Sequence, residues 1–184
     1  HPQMKVSIRI MFKKDMVEAV ASGDADLGLG FNLPPSSQLK CLWDMDTSLG
    51  AVISTKHALA QMESISLGQC TSYPLIFADQ SMSIHHIVAN SFVHAGLTVE
   101  PAFRTNSIAT MKRIAAATES IAFLSKFDIA EDYRQEALTY RPIRERPFSK
   151  NALSLVRREK PGRGLASLLF AEEIIGILGT MSSY

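Results

Sequence analysis

The sequence is poor in cysteine, with only Cys41 and Cys70 in 184 residues. Two cysteines so far apart make neither a disulfide-stapled secreted scaffold nor a cysteine-only zinc site, and a reducing compartment, the cytoplasm, is the expectation. Excess charge of either sign is also missing: 19 Lys and Arg stand against 18 Asp and Glu, a net charge of +1. A nucleic-acid-binding domain carries a basic excess gathered on one face, so direct contact with DNA is not expected of these residues. No apolar run is long enough to span a bilayer, and no basic region followed by an apolar stretch opens the chain, so no membrane partner and no export signal are expected. The chain opens without methionine and reads as a fragment. A Walker loop, a G-x-S-x-G elbow, H-E-x-x-H and C-x-x-C are all absent. The expectation is a protein that catalyses nothing and needs no cofactor or metal.

What is present is a 46% apolar chain, long enough for one domain or two small lobes. Residues 4–10 alternate, with Met4, Val6, Ile8 and Ile10 on one side and Lys5, Ser7 and Arg9 on the other, which is the period of a half-exposed strand. Met16, Val17 and Val20 then share one helical face, and Gly23 suits a left-handed stop. Asp26–Gly30 reads as a short buried strand, so the opening is β-α-β. Extended segments follow at Leu39–Trp43 and Leu49–Ser54. After the less regular stretch 56–73, strand and helix alternate again: Leu75–Ala78, a helix Ser83–Ala95 stopped by Gly96, a strand near Val99–Arg104, a helix after Asn106-Ser107, and Ile121–Leu124. A strand Asn151–Val156 and a helix Leu165–Leu178 close the chain. The alternation argues for parallel sheets in two α/β lobes. If the last strand and helix return to the first lobe, the chain crosses between lobes twice, near 52–55 and near 151–156, which makes a hinge.

Several motifs have plain explanations. Gly28-Leu29-Gly30 begins a dinucleotide loop, but Leu33 fills the third glycine position and Pro34-Pro35 cannot open the helix that such a loop needs. His85 and His86 point about 100° apart on one helix, and His86 and His94 lie two turns apart, so no i, i+4 metal pair exists. Cys41, beside Leu42 and Trp43, reads as a buried free thiol. The basic run Arg157, Arg158, Lys160, Arg163 reads as a solvated loop. Three helix starts, at Phe12-Lys13, at Ser81-Met82-Ser83 and at Asn106-Ser107, set side chains beside free backbone N–H groups, an arrangement that suits a small anion.

The order of motifs resembles the effector-binding (regulatory) domain of LysR-type transcriptional regulators. The resemblance is carried by His1-Pro2-Gln3 before a strand, by Ala21-Ser22-Gly23-Asp24-Ala25-Asp26-Leu27, by Thr55-Lys56-His57-Ala58-Leu59, by Ala95-Gly96-Leu97, by Thr105-Asn106-Ser107 and by Leu153–Arg157. It covers essentially the whole chain. It implies two Rossmann-like lobes, similar to periplasmic binding proteins, joined by two hinge crossings: residues 1–54 with 151–184 as the first lobe and 55–150 as the second. It also implies a small effector in the cleft, a homodimer, and DNA contacted only through a helix-turn-helix absent from these residues. The family's first strand and first helix of the domain are absent as well. Lys13 stands where many members have Ser or Thr, Phe31 where some have Arg, and Ser125 where a Pro ends the strand, so the cleft chemistry is this protein's own. The expected effector is a small organic anion, lined by Phe12, Lys13, Phe31, Gln80, Ser81, Asn106, Ser107, Ser125 and Phe127. The alternative is a solute-binding protein of a transporter, and the residues that precede His1 discriminate the two: a helix-turn-helix marks the regulator, a signal peptide the transporter.

Overall fold

A computed structural model of the chain describes residues 4–130, 132, 137–145, 148, 151–160 and 165–181. The chain divides into two compact units, residues 1–46 with 152–183 and residues 47–151 apart from the C-terminal residue. The first unit therefore ends at Asp46, not at 54 as expected. The reason lies in strand pairing: the segment 49–54 joins the second unit's sheet.

In the first unit, helix α1 (Lys13–Ser22) packs its Val20 fully buried and stops at Gly23, whose φ of 90° is open to glycine and whose N–H returns to Ala19 O at 3.1 Å. Strand β1 (Leu27–Phe31) runs antiparallel to β8 (Asn151–Arg158), with Leu29 opposite Leu155, and the sheet order is β1-β8-β2 with β2 at Leu39–Thr47. A Cβ on Gly28 would collide with Met16 Sδ and sit 3.0 Å from Val20 Cγ2. One on Gly30 would sit 2.8 Å from Leu33 Cδ2 and 3.1 Å from Met16 Cε. These glycines let α1 lie close on β1, so the pair serves packing and no phosphate loop is formed. The last helix, α5 (Leu165–Met181), belongs to this unit and buries Ala171 and Leu178.

Residues 4–11 form no strand, contrary to their alternation. Alternation specifies which side chains share a face, but a strand also needs a neighbour to accept its backbone hydrogen bonds. Val6, Ile8 and Ile10 are instead 48%, 84% and 100% exposed. Cys41, expected inside, is exposed on β2.

The second unit is a five-stranded sheet of order β5-β4-β6-β3-β7, made of β3 (Leu49–Ser54), β4 (Leu75–Ala78), β5 (Phe103–Thr105), β6 (Ile121–Ser125) and β7 (Leu138–Pro142). β4 is parallel to β5 and β6, whereas β3 is antiparallel to β6 and β7, so the sheet is mixed where parallel strands were expected. β5 begins at Phe103, later than the expected 99, and β7 lies in a stretch to which the sequence assigns no element. Inward side chains alternate between two cores. Ile53, Phe77, Phe123 and the α3 (Ser83–His94) residues Val88 and Phe92 fill one; Val52, Ile76, Leu124 and the α4 (Ile108–Ala117) residues Met111 and Ala115 fill the other. Helices therefore cover both faces of this sheet. Each fully buried large apolar side chain contributes about 1.5–3 kcal/mol. A short helix α2 (Leu67–Cys70) is closed by a capping box in which Ser66 Oγ accepts from Gln69 N at 3.2 Å and Gln69 Oε1 accepts from Ser66 N at 3.0 Å. His57 is buried as a structural link: its Nδ1 accepts from Leu59 N at 3.0 Å and its Nε2 donates to Glu119 O at 3.1 Å.

Candidate functional site

In the first unit the two expected residues Lys13 and Phe31 come into one neighbourhood. The link is Asn32, which directly follows β1 at φ 50°. Its backbone carbonyl accepts from Lys13 Nζ at 3.2 Å, its N–H donates to Ala152 O at 2.8 Å, and its Oδ1 accepts from Ala152 N at 3.0 Å. Lys13 opens α1, where the positive end of the helix dipole disfavours an ammonium. Phe12, the N-cap residue, is 61% exposed and gives the helix no side-chain cap.

In the second unit the parallel strands β4, β5 and β6 all end at one edge, at Ala78, Thr105 and Ser125. Asp79 N donates to Thr105 O at 2.9 Å and ties two of these ends together. Gln80 and Ser81 are exposed in the turn that enters α3, and Asn106 and Ser107 lead into α4. Phe127 opens a single 3-10 turn (Phe127–Ile129) just past β6 and is half-buried. The expected residues of this unit are thus collected on one edge, where open α/β sheets take their ligands.

Two of them are already engaged. Ser107 Oγ caps α4 by accepting from Thr110 N at 3.2 Å. Ser125 is fully buried, and its hydroxyl and N–H donate to Asp128 Oδ2 at 2.7 and 2.8 Å. Burial pushes the Asp128 carboxyl up, while those two hydrogen bonds and the charge of Lys112 pull it down by less. Lys112 itself pairs with Asp132 at 2.6 Å.

Several residues on this edge escaped the sequence reading. Asp79 accepts from Ser81 N at 2.9 Å, which with the Ser81 hydroxyl holds its carboxyl below the usual range. His85 is buried and donates its Nδ1–H to Ala78 O at 2.8 Å. Tyr140, on β7, shares a 2.9 Å hydrogen bond with Ser48 Oγ, and Lys126 Nζ lies 5.5 Å from its ring centroid. The Asp-x-Ser spacing of Asp79 and Ser81 and the Ser-x-x-Asp spacing of Ser125 and Asp128 are local signals that a sequence carries, whereas the contact of Tyr140 with Ser48 joins residues far apart in the chain. Among the described residues no group of three or more His, Cys, Asp or Glu side chains is placed to hold a metal ion, and no helix is long and apolar enough to cross a membrane.

Comparison with known proteins places this geometry. The HTH-type transcriptional regulator BbuR of Bordetella bronchiseptica is 20% identical over 158 residues, 86% of this chain and 49% of that protein, so the chain spans about half the length of this curated relative. Among solved structures, the regulatory domain of Synechocystis PCC6803 CcmR in complex with 2-PG has a similar fold, with a TM-score of 0.74 at 17% identity over 96% of this chain and 85% of that one. The effector binding domain of QuiR in complex with shikimate is also similar, with a TM-score of 0.65 at 15% identity over 88% of this chain and 76% of that one. The model of the LysR substrate binding domain matches residues 1–176. With nearly its whole length matched, and with the two-lobe, periplasmic-binding-protein-like α/β fold of that family, this chain belongs to the LysR substrate-binding domains.

Proposed function

We propose that this chain is the sensing domain of a LysR-type transcriptional regulator and that it binds a small organic anion. The observation that carries the class is the family match over residues 1–176, and the relatives' printed descriptions support it: one is an HTH-type transcriptional regulator, and two domains of similar fold hold the small molecules 2-PG and shikimate. The ligand charge is argued from Lys13. An ammonium at the first turn of a helix opposes the helix dipole unless an anion lies near both. Phe12, Lys13 and Phe31 then form the contacts on the first unit. On the second unit Gln80, Ser81 and Asn106 supply polar contacts and Phe127 an apolar wall, while Ser107 and Ser125, engaged with Thr110 and Asp128, touch no ligand and hold the loops in place. The regulator works as a homodimer, and a helix-turn-helix outside these residues meets the DNA. Effector binding shifts a two-state equilibrium of the domain, which the dimer passes on.

The test is a thermal-shift and calorimetric screen of small carboxylates and phosphates on the wild type and on Lys13→Ala. A charge-assisted contact contributes about 1.5–3 kcal/mol, so the best ligand is expected to bind Lys13→Ala at least roughly tenfold more weakly. An anion that binds both proteins equally removes Lys13 from the site.

A further inference from the structure

The turn that carries Phe127 rests on a carboxyl. Ser125, the last residue of β6, is fully buried, and its hydroxyl and its N–H donate to a single oxygen, Asp128 Oδ2, at 2.7 and 2.8 Å. Asp128 N donates back to Ser125 Oγ at 3.4 Å. Residues 125–128 are thus closed into a ring, and the path of the two residues inside it, Lys126 and Phe127, is set by that closure. Ile129 follows at once and is buried in the same core as Met111 of α4 and Tyr140 of β7, so the far end of the turn is fixed. The closure by Asp128 is the part that can change.

The cation that acts on Asp128 is Lys112, on the second turn of α4, and it already pairs with Asp132 at 2.6 Å. One ammonium therefore serves two carboxyls, and a cluster of that composition is relieved by binding a proton. Asp128 is the member placed to take it, since burial pushes its carboxyl up, whereas Asp132 holds the ammonium directly. The groups brought by the remaining neighbours are engaged with one another. Tyr140, on the strand β7 that packs against the turn, shares its hydroxyl with Ser48 Oγ at 2.9 Å, and Lys126 Nζ lies 5.5 Å from the centre of the Tyr140 ring.

We propose that Ser125, Asp128 and Lys112 form a proton-operated clasp on the effector edge: a proton from water binds the Asp128 carboxylate, relaxes the ring of residues 125–128 and shifts the turn that carries Phe127. When ionised, Asp128 accepts charge-assisted hydrogen bonds from Ser125 and draws on Lys112 in competition with Asp132. When protonated, it accepts weaker ones, and Lys112 is left to Asp132. A single proton moves, and Lys112 keeps its own in both states. The edge then has two arrangements that differ in the strength of two hydrogen bonds and in the place of one ammonium. The consequence for regulation rests on the effector reading given above. Protonation removes a negative charge from beneath the edge, so a small anion binds the protonated form more tightly, and acidity and effector act in the same direction. The clasp itself does not depend on that reading.

An NMR titration of the isotopically labelled chain from neutral to acid pH, with no ligand added, tests the clasp in the wild type, in Asp128→Asn and in Ser125→Ala. In the wild type the side-chain carboxyl carbon of Asp128, the amides of Ser125 and Phe127 and the side-chain signals of Lys112 are expected to titrate together, with one midpoint above the ordinary aspartate range. In Asp128→Asn, which keeps the shape of the neutral carboxyl, the amide and Lys112 signals are expected to sit near their acid-side positions in the wild type and to stay there at every pH. In Ser125→Ala the ionised carboxyl loses a donor, and the Asp128 midpoint is expected to rise further. The amides of Phe77 and Phe92, in the other core, report that the fold is intact throughout. Three results overturn the proposal. A Phe127 amide that stays still while Asp128 titrates shows that the turn does not follow the carboxyl. The same amide titration in Asp128→Asn assigns it to another group. An Asp128 midpoint in the ordinary range, or one unmoved in Ser125→Ala, shows that the ring does not hold the charge. Because no effector is present, an error in the effector reading leaves each of these outcomes unaltered.

Discussion

Gly50→Ala is the sharpest test of the second unit's packing. Gly50 lies in β3 opposite Leu124 on β6 and Pro142 on β7, in the middle of the sheet. A Cβ there falls inside contact distance of the Tyr140 ring and 2.6 Å from the carbonyl oxygen of Arg141, a backbone atom that cannot swing away. The ring has little room to retreat, because Tyr140 is only 6% exposed and its hydroxyl is held by Ser48 Oγ at 2.9 Å. Overpacking of this kind costs about 1–3 kcal/mol, and displacing the ring forfeits a hydrogen bond that contributes about 0.5–1.5 kcal/mol. Alanine stiffens the unfolded chain and returns about 0.4–1 kcal/mol. The central expectation is a loss of about 2 kcal/mol, or a midpoint lowered by roughly 4–8 °C for a chain of this size. The assay is denaturant and thermal unfolding followed by circular dichroism, with Tyr140→Ala and the double variant completing a cycle. Because removing the ring makes room for the new methyl, the double variant is expected to cost about 1–3 kcal/mol less than the sum of the singles. A Gly50→Ala protein within about 0.5 kcal/mol of wild type, or strict additivity, refutes the close approach of Tyr140 to β3.

Burial holds the Asp128 carboxyl above the ordinary aspartate range, so the fold prefers it protonated; that contribution is complete below the ordinary range and is lost as the pH rises and the group ionises. Asp128→Asn, which cannot ionise, is therefore expected to gain stability relative to wild type between about pH 4 and pH 7 in denaturant midpoints, and a gap that stays constant or shrinks with pH contradicts the assignment. Burial, with the nearby Glu145 charge, pushes the Cys70 thiol up to about 12, whereas Cys41 is exposed. A thiol reagent at mildly alkaline pH is expected to find one reactive cysteine in the native protein and two after denaturation, and two fast equivalents in the native state show Cys70 accessible. Ser66→Ala removes the hydroxyl that accepts from Gln69 N and is expected to cost about 1 kcal/mol in urea unfolding, so a change below about 0.3 kcal/mol means the capping box contributes nothing.

Helices α1, α3 and α4 were legible because a 3.6-residue period needs no partner: Val20, Val88 with Phe92, and Met111 are the buried residues it picks out. Gly23 and Gly96, with φ of 90° and 69°, stop α1 and α3 where glycine alone suggested it. Strands depend on a neighbour that may lie far along the chain. Residues 4–10 alternate without pairing, and β7 hides its inward Leu138 and Tyr140 beside Arg141 and Pro142. β3 was assigned to the lobe it follows in sequence, while its hydrogen bonds go to β6 and β7. The site was legible in the same uneven way. Helix starts and strand ends marked Ser81, Asn106 and Phe127, but the Lys13 contact depends on the left-handed Asn32, and the inward turn of Ser125 depends on Asp128. The first crossing, drawn at 52–55, differs in the same sense, since the chain leaves the first unit between Asp46 and Thr47; the boundary at Ala152 falls within the segment drawn at 151–156.

The first unit is built from both ends of the chain, and β8, the middle strand of its sheet, is the last strand made. On a ribosome the N-terminal residues therefore emerge without the strand that β1 and β2 must pair with, and they wait while the second unit is synthesised. That unit is contiguous and holds all five of its strands, so it can complete its core first. The waiting segment is the one that displays Val6, Ile8, Ile10 and Leu29, so the nascent chain is most open to chaperones and to aggregation before residue 151 has cleared the exit tunnel. A frameshift just before residue 151 accordingly removes the middle strand of the first unit's sheet and leaves the second unit's strands whole.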